Sequence, residues 1–156
     1  MSNWLKPLLP TLISLEQAGF VKGIHILDGI LVDHEVVHYL RATKLLGMLI
    51  KLDLSKAYDN INWDFVRKML QAFSFNNQWM SWVINLTSSK FFSILVNGTP
   101  SQPFHPTRGI QKGDPISPFL FVLMAEDLGR NLNAMRQANE IRGIWLCRGA
   151  TPLTHQ

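Results

Sequence analysis

What this chain lacks bounds it before any motif is considered. A single cysteine, Cys147, leaves no partner for an internal disulfide. That excludes the stapled class of small secreted domains and fits a reducing compartment, with Cys147 itself read as a small core residue. There is no uninterrupted apolar stretch of membrane-spanning length near the start, because MSNWLKPLLPTLISLEQ is broken by Pro7, Pro10 and Glu16. Neither a signal peptide nor a transmembrane segment is expected, and the chain is expected to be soluble and intracellular, in nucleus or cytoplasm. No internal repeat or low-complexity tract occurs. The phosphate-cradling pattern G-x-x-x-x-G-K-[ST] is also missing, and Ser55 removes the two-aspartate phosphatase pattern.

What is present suits one ordinary domain or part of a larger one: 156 residues, 47% of them hydrophobic, enough to build a core. Fifteen Lys and Arg against eleven Asp and Glu give a formal charge of +4, which suits a polyanionic partner without requiring one.

Periodicity then divides the chain. Residues 26–40 carry Ile26, Leu27, Ile30, Leu31, Val37 and Leu40 at helical steps. MLIKLDL, residues 48–54, reads as a largely buried strand with Asp53 near its C-terminal end. Asn62 is placed to cap a helix with the stripe Trp63, Val66, Met69, Leu70 and Phe73. NNQWMSWVINL continues as a helix with Trp79, Trp82, Val83 and Leu86 on one face, and the two tryptophans are expected in the core. Asn97-Gly98 after a β-rich run predicts a hairpin whose return strand, limited by Pro100, Pro103 and Pro106, lies at an edge. A long helix with Phe121, Leu123, Met124, Leu128 and Leu132 in its apolar pattern is expected from about Ser117, and IRGIWL, residues 141–146, as a strand leading into a turn at Arg148-Gly149. Few strands among many helices predict an α+β fold, with helices packed on a small, mainly antiparallel sheet.

Two stretches carry candidate chemistry. HEVVH at residues 34–38 matches H-E-x-x-H, in which His34 and His38 would bind zinc while Glu35 acts as general base. The third ligand is not evident, since Glu126 is the next glutamate, and a polar helix face is the simpler reading. In KLDLSKAYD, residues 51–59, Asp53 at a strand end reads either as a Mg²⁺ ligand or as a solvated acid, and Asp59 as a turn or cap residue. The later loop RGIQKGDPISP combines Gly109 and Gly113 with the cations Arg108 and Lys112, and Pro115 is expected to open a helix.

Taken together, KLDLSKAYD and RGIQKGDPISPFLFVL, some fifty residues apart, resemble motifs A and B of reverse transcriptases from non-LTR, LINE-type retrotransposons of the plant kind. LISLEQAGFVKG and ILDGILVDHEVVH resemble the segment before motif A in that family, so the likeness runs from about Trp4 to Gln156. It implies a partial right-handed polymerase, with residues 1–47 and 90–108 in the fingers and 48–89 and 109–156 in an incomplete palm. It implies Asp53 as the catalytic and metal-binding aspartate, with Mg²⁺ as cofactor. Tyr58 would screen the sugar of the incoming nucleotide against a 2′-hydroxyl. Arg108, Gly109, Lys112, Gly113, Asp114, Pro115 and Ser117 would contact nucleotide and template. The implied partners are an RNA template, a DNA primer and deoxynucleoside triphosphates, and the implied reaction is two-metal attack of a primer 3′-hydroxyl on the α-phosphate.

The sequence departs from that family at three places. Ile24 stands where Arg is usual after FVKG, and Lys112 stands where a glutamine usually precedes the motif B glycine. A lysine reaches a phosphate but cannot both donate and accept as an amide does. TPLTHQ resembles the residues just before the aromatic-x-Asp-Asp motif, whose carboxylates are not among these 156 residues. The expectation is therefore a reverse transcriptase fragment, inactive as given, with nucleic-acid binding as the alternative activity.

Overall fold

Seven helices and one two-stranded sheet make up the regular structure of the described residues, which in this computed structural model are 1–14, 26–144, 146 and 153–154. The helices are α1 (Ser2–Leu5), α2 (Leu9–Leu12), α3 (Ile26–Thr43), α4 (Ala57–Asn60), α5 (Trp63–Ala72), α6 (Asn77–Ser88) and α7 (Ser117–Gln137). The strands are β1 (Leu95–Val96) and β2 (Thr99–Pro100). This is a helix-rich α+β arrangement. The chain divides into two units, Met1–Asp53 with Val122–Gln156, and Leu54–Phe121.

In the first unit, Leu5, Leu9 and Ile13 are buried, as are Val36 of α3 and Val122, Leu123 and Met124 of α7. A buried carboxylate needs partners, and Glu126 has them: Ser14 donates from its backbone N–H and its Oγ to Oε2 at 2.9 and 2.8 Å. Arg130 donates to Oε1 at 3.1 Å and, through a second guanidinium nitrogen, to the Leu12 carbonyl at 2.9 Å. That network ties the segment after α2 to α7. The helix expected over 26–40 forms, but Leu27, Ile30 and Leu31 of its apolar stripe are exposed while Val36 is buried. No helix among the described residues is long and apolar enough to cross a membrane.

The expected buried strand at 48–54 does not form. Residues 45–54 carry no regular structure, and Met48, Leu49, Ile50, Leu52 and Leu54 are all exposed. A strand is held by a neighbour that takes its N–H and C=O groups, and no described segment pairs with this one.

In the second unit, α5 and α6 pack together and their sequences explain both ends. Asn62 accepts the Asp64 N–H at 2.8 Å, and Asn76 accepts the Gln78 N–H at 2.7 Å, each satisfying a donor that the first turn leaves open. Between the helices the chain reverses at Ser74, which takes a left-handed φ of 60°. The faces turned inward are Val66, Met69 and Leu70 of α5 and Met80, Val83, Ile84 and Thr87 of α6. Trp82, expected in the core, is 45% exposed, and Leu86 is exposed as well. Positions 80, 83, 84 and 87 form one stripe at helical spacing, and Trp82 falls about 100° away from Val83 around the helix. Trp79, in the first turn of α6, instead stacks at 4.6 Å on Phe75 of the connection between the helices.

The hairpin forms where expected. Leu95 pairs with Pro100 and Val96 with Thr99, and Asn97 and Gly98 both take left-handed φ values of 51° and 82°. That is the mirror-image turn whose twist matches the strands. Farther from the turn, Phe92 and Phe104 exchange backbone hydrogen bonds at 2.9 and 2.8 Å. Of the strand expected at 141–146, the described residues contain a single bridge, Ile144 with Leu153. Trp145 and the turn at Arg148-Gly149 lie outside them, as do Ile24 and most of LISLEQAGFVKG.

Candidate functional site

The second unit brings the aromatic of KLDLSKAYD to the glycine loop. Lys56 takes a left-handed φ of 50°, and its carbonyl accepts the N–H groups of Asp59 and Asn60 at 3.0 and 3.1 Å, closing the single turn α4. That turn places Tyr58, half-buried, with its ring stacked on Phe121 at 5.2 Å and 14° between planes. The glycine loop docks on the same turn through its backbone. Gly109 donates to the Ile61 carbonyl at 2.7 Å, and Ile110 to the Tyr58 carbonyl at 2.8 Å. Trp63 adds a third bond, its indole N–H donating to the Gly109 carbonyl at 2.8 Å.

Glycine is required at position 109 on two counts. Its φ is +97°, and an added Cβ would lie 3.0 Å from the Asp59 carbonyl oxygen and 3.3 Å from that of Tyr58. Gly113, at φ +86°, has open space where a side chain would stand, so only its backbone conformation favours glycine.

The loop is charged on two sides. Asp114 accepts from the Lys90 ammonium at 2.8 Å through Oδ2 and from the Ile116 N–H at 3.2 Å through Oδ1. Burial opposes ionisation of this carboxyl, but the Lys90 hydrogen bond, the Ile116 N–H and the Lys90 charge outweigh it and hold the pKa below its ordinary 3.8. Asp114 thus shapes the loop entering α7. Lys112 and Asp59 stand 3.7 Å apart but are 69% and 54% exposed, a surface pair worth about 0–1 kcal/mol. Arg108 is exposed. Pro115 sits in the turn two residues before α7 rather than at its first position, which Ser117 takes. Ser117 is 1% exposed, and its Oγ has no hydrogen-bond partner.

Asp53 belongs to the first unit, exposed in the unpaired segment. Among the described residues no group of three or more His, Cys, Asp or Glu side chains could hold a metal ion. The donors present therefore do not fit a two-metal centre. His34, Glu35 and His38 line an open depression of about 560 Å³ on α3 with Leu31, Tyr39 and Leu146. They have no third ligand among the described residues, so a zinc peptidase centre is not assembled there.

Sequence reading alone missed three participants. Trp63 counted as part of an apolar stripe, Phe121 as part of a helix face, and Lys90 carried no expectation. One signal existed for Trp63, since a half-buried indole N–H needs an acceptor. Nothing local pointed to which acceptor.

The Tyr58 turn and the glycine loop, which belong to the two stretches that carry the resemblance, are thus joined by three hydrogen bonds. The chain also matches the reverse transcriptase (RNA-dependent DNA polymerase) family over residues 1–143. It belongs to that family. This reverse transcriptase chain is 29% identical over 122 residues to the transposon TX1 uncharacterized 149 kDa protein of Xenopus laevis, covering 78% of the chain and 9% of that protein. It is 25% identical over 99 residues to a retrovirus-related Pol polyprotein from type-1 retrotransposable element R2 of Popillia japonica, covering 62% of the chain and 16% of that protein. It is 33% identical over 84 residues to the Pol polyprotein from type-2 retrotransposable element R2DM of Drosophila melanogaster, covering 54% and 8%. The chain thus spans at most 16% of the length of these relatives.

Proposed function

We propose that this reverse transcriptase chain is the nucleotide- and template-contacting part of a non-LTR, LINE-type retrotransposon polymerase. Residues 1–47 and 90–108 contribute to its fingers and residues 48–89 and 109–156 to its palm. The observation that carries the reading is the hydrogen-bonded junction between the Tyr58 turn and the Gly109 loop. Tyr58, stacked on Phe121, is the side chain that meets the sugar of a deoxynucleoside triphosphate. Arg108 and Lys112, both exposed on the loop, reach phosphates of the triphosphate or of an RNA template paired to a DNA primer. Gly109, Gly113, Asp114, Pro115 and Ser117 set the path of that loop into α7. Asp53 is the motif A carboxylate that would be offered to Mg²⁺, and the described residues do not complete a two-metal set around it.

Two experiments test this reading on the 156-residue chain. Affinity for an RNA–DNA duplex should fall steeply as salt rises, and Arg108→Glu should lower it further. Affinity indifferent to salt would sink the binding reading. With Mg²⁺, primed RNA and deoxynucleotides, no primer extension is expected. Clear extension would show that a catalytic metal site forms after all.

A further inference from the structure

Trp63 lies five residues beyond Tyr58 and contributes a single polar atom, yet that atom closes a ring of three hydrogen bonds around the glycine loop. The Gly109 N–H is taken by the Ile61 carbonyl at 2.7 Å, the Ile110 N–H by the Tyr58 carbonyl at 2.8 Å, and the Gly109 carbonyl by the Trp63 indole at 2.8 Å. Both hydrogen-bonding groups of Gly109 are therefore held by residues 61 and 63, and its left-handed backbone, lacking room for a Cβ, presses it onto Asp59 and Tyr58. Two of the three bonds are backbone to backbone and depend on the path of the chain alone. The third depends on one side chain.

The geometry points to Trp63 as a positioning residue that latches the loop onto the Tyr58 turn and so governs how sharply Tyr58 discriminates a deoxyribose from a ribose. The inference rests on the nucleotide-contacting reading of Tyr58. Tyr58 has two supports, the stack on Phe121 and the Ile110 N–H on its carbonyl. Loss of the indole bond leaves the stack and the two backbone bonds but loosens the loop that supplies the second support. The ring then samples more positions, and a group that excludes a 2′-hydroxyl by contact loses selectivity before it loses affinity.

Trp63→Phe keeps an aromatic ring in the stripe of α5 and removes the N–H. Trp63→His returns an N–H on a five-membered ring. Amide hydrogen exchange at Gly109 and Ile110 should speed up by about tenfold in Trp63→Phe, with Val83 and Ile84 of α6 unchanged, and should return toward wild type in Trp63→His. The ratio of affinities for a deoxynucleoside triphosphate and the matching ribonucleoside triphosphate should fall several-fold in Trp63→Phe and recover in Trp63→His. A role in packing alone gives no recovery in Trp63→His, whose ring is smaller than that of Trp63→Phe. Unchanged exchange at Gly109 overturns the latch, and faster exchange with an unchanged sugar ratio overturns its link to Tyr58. A wild-type chain that binds no triphosphate overturns the nucleotide-contacting reading instead, and the exchange comparison then still decides whether Trp63 holds the loop.

Discussion

Residues 45–54 and the loop 107–117 exchange the roles their compositions suggest. The first, LLGMLIKLDL, is among the most apolar stretches of the chain, yet Leu46 is wholly exposed and Met48 is 76% exposed. The second, TRGIQKGDPIS, is polar and glycine-containing, yet Ile110, Ile116 and Ser117 are buried and its backbone is bonded at Gly109 and Ile110. Hydrophobicity supplies a reason to be buried but not a place to go. Order follows from available partners, and the α4 turn and Trp63 offer them to the loop while no described segment offers them to residues 45–54.

The contrast predicts a graded response to substitution. The largest effect belongs to the α5–α6 core, where Leu70→Ala should cost about 2–5 kcal/mol because Leu70 has no exposed surface, while Leu46→Ala should change stability by less than about 0.5 kcal/mol. Urea melts of both variants would break the comparison if their costs were equal. Within the loop, Gly109→Ala should cost about 2–3 kcal/mol, combining left-handed strain with a forced contact on the Asp59 carbonyl. Gly113→Ala pays for conformation alone, about 1 kcal/mol, and a reversed order would refute the close approach at Gly109.

The Lys90–Asp114 pair comes next. The carboxyl of Asp114 is held below 3.8 in the folded chain, so its contribution is present above that value and is lost as pH falls through the lower folded pKa. Asp114→Asn should cost about 1.5–3 kcal/mol at neutral pH and remove that part of the acid dependence, which a pH series of melts would read directly. The cap matches Gly113→Ala in size: Asn62→Ala should cost about 1 kcal/mol, seen as a lower urea midpoint with an unchanged slope.

The elements legible in advance were those whose signals are local. Asn62 marks a helix start, Asn97-Gly98 marks a hairpin, and the spacing of Val66, Met69, Leu70 and Phe73 marks a buried face, because capping, turn geometry and helical period each act over a few residues. The two motifs pointed to the family, but neither showed that the Tyr58 turn and the glycine loop are hydrogen-bonded to each other. Two expectations failed where the deciding partner is distant. Trp82 has the same spacing as its neighbours, and only the docking of α5 selects Met80, Val83, Ile84 and Thr87 as the inner stripe. Residues 48–54 have the composition of a buried strand, but a strand exists only with a neighbour.

By itself, then, the amino-acid order determined α3, α5, α6 and α7, the hairpin turn and the family, through interactions that span a few residues or through motifs read in series. Tertiary structure alone decided that Trp63 donates to Gly109 across 46 positions and that Lys90 meets Asp114. It also decided that Tyr58 lies on Phe121. The physical reason is that a hydrogen-bond donor, a cation and an aromatic face each specify a kind of partner but not an address, and the address is set only when the chain folds back on itself.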